Sequence, residues 1–314
     1  MRFLVTGGAG FIGSHIVDAL VDSGDKVTVL DNFVTGKEEN LSKSLNKIKL
    51  VRGDIRKEKD LIPAVRGADF ILHQAALRSV PRSIDDPVSS NDVNVSGTLL
   101  LLKTASSEKV KRVIFASSSS VYGDSREIPQ KESQLPAPVS PYAASKAAGE
   151  YYCRVFAKIY GLETVSLRYF NVFGPRQDPR SNYAAVIPKF IRLAIHGIPF
   201  EIHGDGRQSR DFSYITNVVN ANILAATARN VSGEVFNVAC GESHSVLDIA
   251  RAITRTLKIR QKYDFLPSRK GDVKVTLADI SKAKRQLKYR ASIDFDAGMN
   301  LTIKYFLKKP SEAK

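Results

Sequence analysis

Residues 6–13 read Thr6-Gly7-Gly8-Ala9-Gly10-Phe11-Ile12-Gly13, set between the apolar run Phe3-Leu4-Val5 and a stretch over 11–22 whose apolar residues recur at helical spacing. A strand, a glycine-rich turn and a helix in that order make a phosphate-binding loop. Gly7 permits the tight turn, Gly10 lets backbone approach a pyrophosphate, and Gly13 lets the helix pack closely on the strand. The N–H groups that open the helix then face the phosphates. A second strand, Lys26-Val27-Thr28-Val29-Leu30, ends at Asp31, 24 residues after Gly7. A carboxylate there accepts both hydroxyls of an adenosine ribose and repels a 2′-phosphate, so the pattern predicts NAD rather than NADP. The cofactor's surroundings extend to Phe11 and Ile12 in the loop, Asn32 beside Asp31, and Gln74-Ala75-Ala76 after the fourth strand. Asp54, with Ile55, follows the third strand; it reads equally as a contact to the adenine amino group and as a turn-capping carboxylate.

Outward from this loop, short β-rich runs alternate with amphipathic stretches. Strands are expected at 48–51, 70–73, 112–116 and 163–167, and helices at 88–108 and from Pro141 to Tyr160, with proline in the permitted first turn. Strands alternating with helices imply right-handed crossovers, hence a Rossmann-type, doubly wound α/β fold around a parallel sheet. Beyond about residue 170 the rhythm breaks at Pro175, Pro179, Pro188 and Pro199. Helices are expected at 185–196, 216–229, 245–257 and 294–308, and Val235-Phe236-Asn237-Val238 as a strand returning to the main sheet. The chain thus divides into a cofactor-binding unit over 1–170 and a smaller C-terminal α/β substrate lobe over 171–314, with no linker between them.

Composition narrows the function classes. The 314 residues are 43% hydrophobic and 25% charged, enough for a large core without disulfide staples. Two cysteines, Cys153 and Cys240, with no CxxC or Cys/His spacing, argue against a disulfide scaffold or a structural metal site and for a reducing cytoplasm. No apolar run is long enough to span a membrane, and the first residues lack the pattern of a signal peptide. The net charge is +15, with 17 Lys/Arg against 6 Asp/Glu over residues 251–314. A nucleic-acid footprint is one reading. A basic solvated surface, or a field drawing in an anionic small substrate, is favoured because the cations are scattered among apolar residues.

A second constellation lies at the far end of the fifth strand. Tyr142 and Lys146, at i and i+4 of a helix, share one face. A nearby ammonium favours the phenolate, so Lys146 is expected to lower the Tyr142 pKa and make it a usable base. Ser118 precedes Tyr142 by 24 residues, at the carboxyl end of a strand, where open α/β sheets place ligands.

The TGGAGFIG loop, the run Ser-Ser-Ser-Ser-Val-Tyr-Gly at 117–123 and the run Ser-Pro-Tyr-Ala-Ala-Ser-Lys at 140–146 resemble the extended short-chain dehydrogenase/reductase family, and within it the UDP-sugar 4-epimerases. The likeness continues through 168–175, 204–211 and 269–272, so it spans roughly residues 1–290. It implies Ser118, Tyr142 and Lys146 as the catalytic triad, with Lys146 also on the nicotinamide ribose and Asn94 as a structural and proton-relay partner. It places Tyr169 between cofactor and substrate, Asn171 on the nucleotide sugar and Ala185 and Val186 beside the uracil. Arg210 and Arg269 would grip the diphosphate, a task suited to a permanent forked cation, and Asp272 a uridine ribose hydroxyl. It also implies a homodimer formed through a four-helix bundle of the helices near 88–108 and 142–160.

The residues beside Ser118 select among the family's reactions. Dehydratases carry an Asp-Glu pair there, and decarboxylases a Glu at the second position; this chain has Ser119 and Ser120. Hydroxyls are poor substitutes for a carboxylate acid or base, which leaves epimerisation. Thr276 stands where some relatives carry a bulky tyrosine, so the resemblance favours a UDP-N-acetylhexosamine alongside UDP-glucose and UDP-galactose. A strict UDP-glucose 4-epimerase stays open, as does a UDP-uronic acid 4-epimerase, because Arg78 or Arg82 could meet a carboxylate. The non-enzyme reading is an NAD-sensing regulator or nucleic-acid binder that kept the fold; the intact triad counts against it.

Overall fold

The structure, a computed structural model, describes residues 1–125, 127–179, 185–267 and 274–308. Its strands are β1 (Arg2–Thr6), β2 (Lys26–Asp31), β3 (Ile48–Arg52), β4 (Phe70–His73), β5 (Arg112–Ser118), β6 (Glu163–Tyr169), β7 (Val172–Phe173), β8 (Phe200–His203), β9 (Ser209–Asp211), β10 (Ser213–Tyr214), β11 (Glu234–Val238), β12 (Ser243–Ser245) and β13 (Tyr263–Leu266). Its α-helices are α1 (Phe11–Asp22), α2 (Glu58–Val65), α3 (Val80–Asp85), α4 (Pro87–Asn91), α5 (Thr98–Ser107), α6 (Pro141–Ile159), α7 (Val186–Ile195), α8 (Ile215–Thr227), α9 (Val246–Leu257), α10 (Ser281–Gln286) and α11 (Phe295–Lys308).

Seven parallel strands run in the order β11-β6-β5-β4-β1-β2-β3, the doubly wound arrangement expected from the alternating pattern. The order reverses between β1 and β4, and the carboxyl ends of strands at such a point are where open α/β sheets bind ligands. Every residue of β5 is buried, because the sheet is covered on both faces. Side chains alternate along a strand: Val113 and Phe115 join the core under α2, α5 and α6, whereas Ile114 and Ala116 join the one under α1 and α8. The returning strand 235–238 is β11, hydrogen-bonded to β6 with Asn237 opposite Arg168.

Three differences from the sequence pattern bear on the site. The helix expected over 88–108 is interrupted: α4 passes into a π-helical turn, Asp92–Gly97, before α5 begins. Asn94 lies in that turn, buried, with its side chain bonded to both the N–H and the carbonyl of Leu77; such turns let a side chain leave the regular helical face. Helix α2 is only eight residues long and carries Pro63, so it has too few turns to show a period. The third difference is a set of two-stranded sheets, β7 with β10, β9 with β12 and β8 with β13, whose strands are too short to show alternation. They build the wall of the substrate lobe.

Candidate active site

The glycine loop has the shape that its sequence implies. Gly7 sits at φ +67, and a Cβ there would lie 2.6 Å from the Ala75 nitrogen; at Gly13 a Cβ would lie 2.2 Å from the Gly7 carbonyl oxygen. These contacts press β1, the loop and α1 together and leave no room for side chains. At Gly10 an added Cβ would meet only the Gly7 oxygen, at 3.2 Å, so the loop is open on the side a pyrophosphate would approach. Asp31 ends β2 buried, accepting the N–H groups of Ala9 at 2.9 Å and Phe33 at 2.8 Å. Burial raises its pKa, opposed by those two bonds. Each oxygen keeps a lone pair for a ribose hydroxyl. The residues present therefore fit NAD, with Gly7, Gly10 and Gly13 at the phosphates and Asp31 at the ribose.

Asp54 is more committed than its sequence position suggests. Its carboxylate accepts the Arg56 Nε and Nη2 at 3.0 and 2.8 Å, the Arg56 backbone N–H at 2.9 Å and the Asn32 amide at 3.0 Å. The Arg56 bonds hold its pKa well below the usual carboxylate range. Four donors occupy its lone pairs, so the clamp on Arg56 and Asn32 is its role within the chain. Ile55 is buried against Gly97.

Tyr142, Ser118 and Lys146 converge at the carboxyl ends of β5 and α6's first turns. Ser140 caps α6, accepting the Ala143 N–H at 3.2 Å, and Pro141 occupies its first position. Ser118 ends β5, accepts the Ser120 N–H at 3.1 Å and bonds the Ser120 hydroxyl at 3.1 Å. The buried Tyr142 phenol has a raised pKa because burial dominates; its hydrogen bond to Ser118 and the charge of Arg78 pull the other way. The Lys146 ammonium lies 6.0 Å from the Tyr142 ring centroid and donates to the Ala116 carbonyl at 2.8 Å. Burial lowers its pKa to about 8. Arg78, on the loop after β4, adds a second cation whose charge favours the phenolate.

A directed chain of bonds ties the loop to the catalytic helix. The Ala75 N–H points to the Thr6 hydroxyl at 3.4 Å, which lies 2.7 Å from His73 Nδ1; His73 Nε2 lies 2.9 Å from Thr98 Oγ1, which donates to the Asn94 carbonyl at 2.7 Å. Thr98 has spent its proton, so His73 carries hydrogen on Nε2 and is neutral; burial lowers its pKa to about 3. Asn94 then donates to the Ser145 hydroxyl at 3.0 Å, which donates to the Tyr142 carbonyl at 2.7 Å. Asn94 thus holds the backbone of α6 and the Leu77 loop together. Tyr169 is buried with its hydroxyl between Gln74 and Asn222, at 3.1 and 2.8 Å from their amide nitrogens.

Beside this centre lies a cavity of about 270 Å³ in the substrate lobe. Asn171, Ala185, Val186 and Arg210 all line it, four residues the sequence had grouped. Asn171, at φ +26, donates to the Asp211 carbonyl at 2.9 Å and to the Thr276 hydroxyl at 3.4 Å. Arg210 bonds the carbonyls of Ser209 and Lys274. Arg269 and Asp272 lie outside the described residues. Ser119 and Ser120 sit half-buried in the turn after β5, and Ala76 is half-buried beyond β4.

Sequence reasoning missed the cavity's floor. Phe190, Phe212, Gln208, His203 and His244 line it; Gln208 lies within the recognised run 204–211, which His203 and Phe212 flank, whereas His244 carries no local signal. Asp211 was also missed. It is fully buried and accepts the N–H groups of Cys240 and Gly241 at 2.9 Å and of Ala278 at 3.3 Å, and burial raises its pKa to about 7. Among the described residues, no group of three His, Cys, Asp or Glu side chains could hold a metal ion, both cysteines are free, and no helix is long and apolar enough to cross a membrane.

The model of the NAD dependent epimerase/dehydratase family matches residues 3–239. A putative UDP-glucose 4-epimerase of Methanocaldococcus jannaschii is 37% identical over 305 residues, 96% of this chain and 97% of that one. The solved UDP-N-acetylglucosamine 4-epimerase of Methanobrevibacter ruminantium, in complex with UDP-N-acetylmuramic acid, is 43% identical with a TM-score of 0.94 and 98% of each chain covered. The UDP-glucose 4-epimerase of Thermus thermophilus, solved with NAD, is 37% identical with a TM-score of 0.90, covering 98% of this chain and 100% of that one.

Proposed function

Because this chain belongs to the NAD-dependent epimerase/dehydratase family of enzymes acting on UDP-sugars, we propose that it is a UDP-sugar 4-epimerase interconverting UDP-GlcNAc with UDP-GalNAc, and UDP-glucose with UDP-galactose. The observation that carries this reading is the pairing of a buried phenol with a serine hydroxyl, Tyr142 with Ser118, where the adjoining Ser119 and Ser120 supply no carboxylate for elimination or decarboxylation. Thr276, a small residue on Asn171, supports room for a 2-acetamido group, and so does the solved relative that binds UDP-N-acetylmuramic acid.

The cofactor held by the glycine loop and Asp31 would supply the acceptor and later the donor of a hydride at sugar carbon 4. Tyr142 accepts the proton of the 4-hydroxyl and later gives it back, with Ser118 hydrogen-bonded to the same oxygen. Arg78 favours the phenolate form. Lys146 is held by Ala116 on the floor of the site, within reach of a nicotinamide ribose. Residues 1–170 mainly hold cofactor and residues 171–314 mainly hold the nucleotide, through Asn171, Arg210 and, by resemblance, Arg269 and Asp272. Epimerisation requires a firm grip on the nucleotide and a loose one on the sugar, because the 4-keto sugar must turn its other face to the same phenol. The separate cavity in the substrate lobe is suited to that division.

We also propose that two copies pair through α4, α5 and α6 as a four-helix bundle. Tyr151, Val155 and Ile159 stand at i, i+4 and i+8 on α6, exposed by 51%, 41% and 71%, and an apolar stripe of that kind marks an interface.

The test is turnover of UDP-GlcNAc, UDP-glucose and UDP-glucuronate in parallel by the purified protein, read by product ratio, with bound NAD quantified by mass. Interconversion of the acetamido pair is expected. Turnover of UDP-glucuronate alone would favour the uronic acid reading, which the Arg78 charge beside Tyr142 motivates. Salt-sensitive DNA binding without turnover would overturn the enzyme reading.

A further inference from the structure

One turn beyond Lys146, α6 carries a buried carboxylate that the mechanism above does not use. Glu150 accepts the Ser117 hydroxyl and, bidentately, Arg168 Nε at 2.9 Å and Nη2 at 2.7 Å. Its side chain is 5% exposed and that of Arg168 3%. Ser117 and Arg168 are register partners across β5 and β6, and the next pair in register is Ser118 with Tyr169. The carboxylate therefore touches the immediate neighbour of each of two site residues and stands at i+4 from a third, Lys146. Arg168 is itself sandwiched, its Cζ 4.5 Å from the Tyr122 ring centroid, and Tyr122 donates to Asn237 on β11 at 2.7 Å. Gly149 lets α6 approach closely enough: a Cβ there would lie 2.4 Å from the Phe115 ring.

We propose that Glu150 is a positioning residue, fastening the strand of Ser118, the strand of Tyr169 and the helix of Tyr142 and Lys146 in one register. A pair merely holding the fold together would be a costly choice, since burying two ions loses their hydration and an apolar pair often stabilises as well. The second part of the role is electrostatic. The groups around the Lys146 ammonium are Tyr142, Glu150 and Cys153 on α6, His73 on β4, and Arg168 on β6 behind the carboxylate, while β5 supplies the Ala116 carbonyl and the Phe115 ring. Burial works against the charged amine, and Cys153 and Glu150 work for it.

The inference rests on Ser118, Tyr142 and Lys146 being the reacting set, and the experiment separates the two. Wild type, E150Q and Y142F are compared for melting temperature, bound NAD, kcat, KM and the pH profile of kcat. For E150Q, kcat is expected to fall by at least about tenfold, as a small misplacement of reacting groups does, with KM within about twofold. Its alkaline limb should move toward lower pH, because one of the two groups that oppose burial is removed. A folded E150Q with unchanged kcat and limb, whatever its melting temperature, overturns the inference while leaving the epimerase reading intact. A wild type inactive on every UDP-sugar overturns both. Should E150Q not fold, the neutral pair E150Q/R168Q removes the stranded cation, and the same two readouts decide.

Discussion

Asn171 donates to the Thr276 hydroxyl at 3.4 Å across the join between β7 and the segment paired with β9. Two residues 105 positions apart in sequence thus meet beside the cavity that Asn171 lines, and Thr276 is half-buried there. Thr276→Tyr would set a ring beside Asn171. The acetamido substrate should then lose about a hundredfold in kcat/KM or more, since a packed pocket rejects excess volume strongly, while UDP-glucose loses far less. Parallel assays decide it; an equal loss on both sugars would mean that Thr276 does not read the 2-substituent.

The Lys146 ammonium titrates early, at about 8, because it is buried. Activity that depends on its charge should fall as pH rises through that value. Stability moves the other way. A lysine whose folded pKa lies below the unfolded one, 10.5, contributes stability that is complete above the unfolded value and lost as pH falls through the folded one. Between about pH 8 and 10.5 kcat should therefore drop without any accompanying loss of stability attributable to this group. Parallel kcat and denaturant titrations check this; a kcat flat through pH 9 rules out a catalytic need for the charge.

Tyr142→Phe removes the oxygen that takes the proton and little else, since its ring is buried and its backbone is held by Ser145 and Ser83. Turnover should fall by at least about a hundredfold, the usual contribution of a general base, with the melting temperature and NAD content unchanged. Ser118→Ala should lose less, because the phenol remains. A Phe variant with wild-type turnover would show that another group moves the proton.

The parts of this fold legible in the sequence are those made by local rules. Helix α1 spans the 11–22 read from its period, and β4 the 70–73 read from its apolar run, because turn chemistry and alternation act within a few residues. The cavity's other residues come together through β8, β9 and β12, strands of three or four residues whose pairing depends on contacts far away in sequence. His203 and His244 reach the same cavity by that route alone. The contribution of Arg78 was hidden for a similar reason. Helical spacing places Lys146 on the right face, but only tertiary packing shows its ammonium donating to Ala116 and a loop arginine whose charge reaches the phenol.

Gly13→Ala tests the loop. Its Cβ would lie 2.2 Å from the Gly7 carbonyl oxygen and 2.8 Å from the Gly8 Cα, backbone atoms that cannot move without opening the phosphate turn. The expected cost is about 1–3 kcal/mol of stability, the usual price of overpacking, together with loss of bound NAD. Gly24→Ala is the control: it too strains the backbone, at φ +79, but nothing lies within 4 Å of the new methyl. Gly24→Ala should keep its NAD. Equal NAD retention in both variants would mean that the loop does not carry the cofactor.

Val155→Glu tests the proposed pairing. Val155 lies mid-stripe between Tyr151 and Ile159 and is 41% exposed, so a glutamate there is readily solvated in a lone chain and should change its melting temperature little. In a bundle related by two-fold symmetry each copy would bring its own carboxylate toward the same apolar seam, where an unpaired charge is costly to bury. Sedimentation should find wild type as a dimer and Val155→Glu as a monomer at the same concentration. Lys103→Glu, on the exposed and salt-bridged part of α5, changes charge by more without touching the stripe and should stay dimeric. A wild type that sediments as a monomer, or a Val155→Glu variant that stays paired, would show that the stripe faces something other than a second copy.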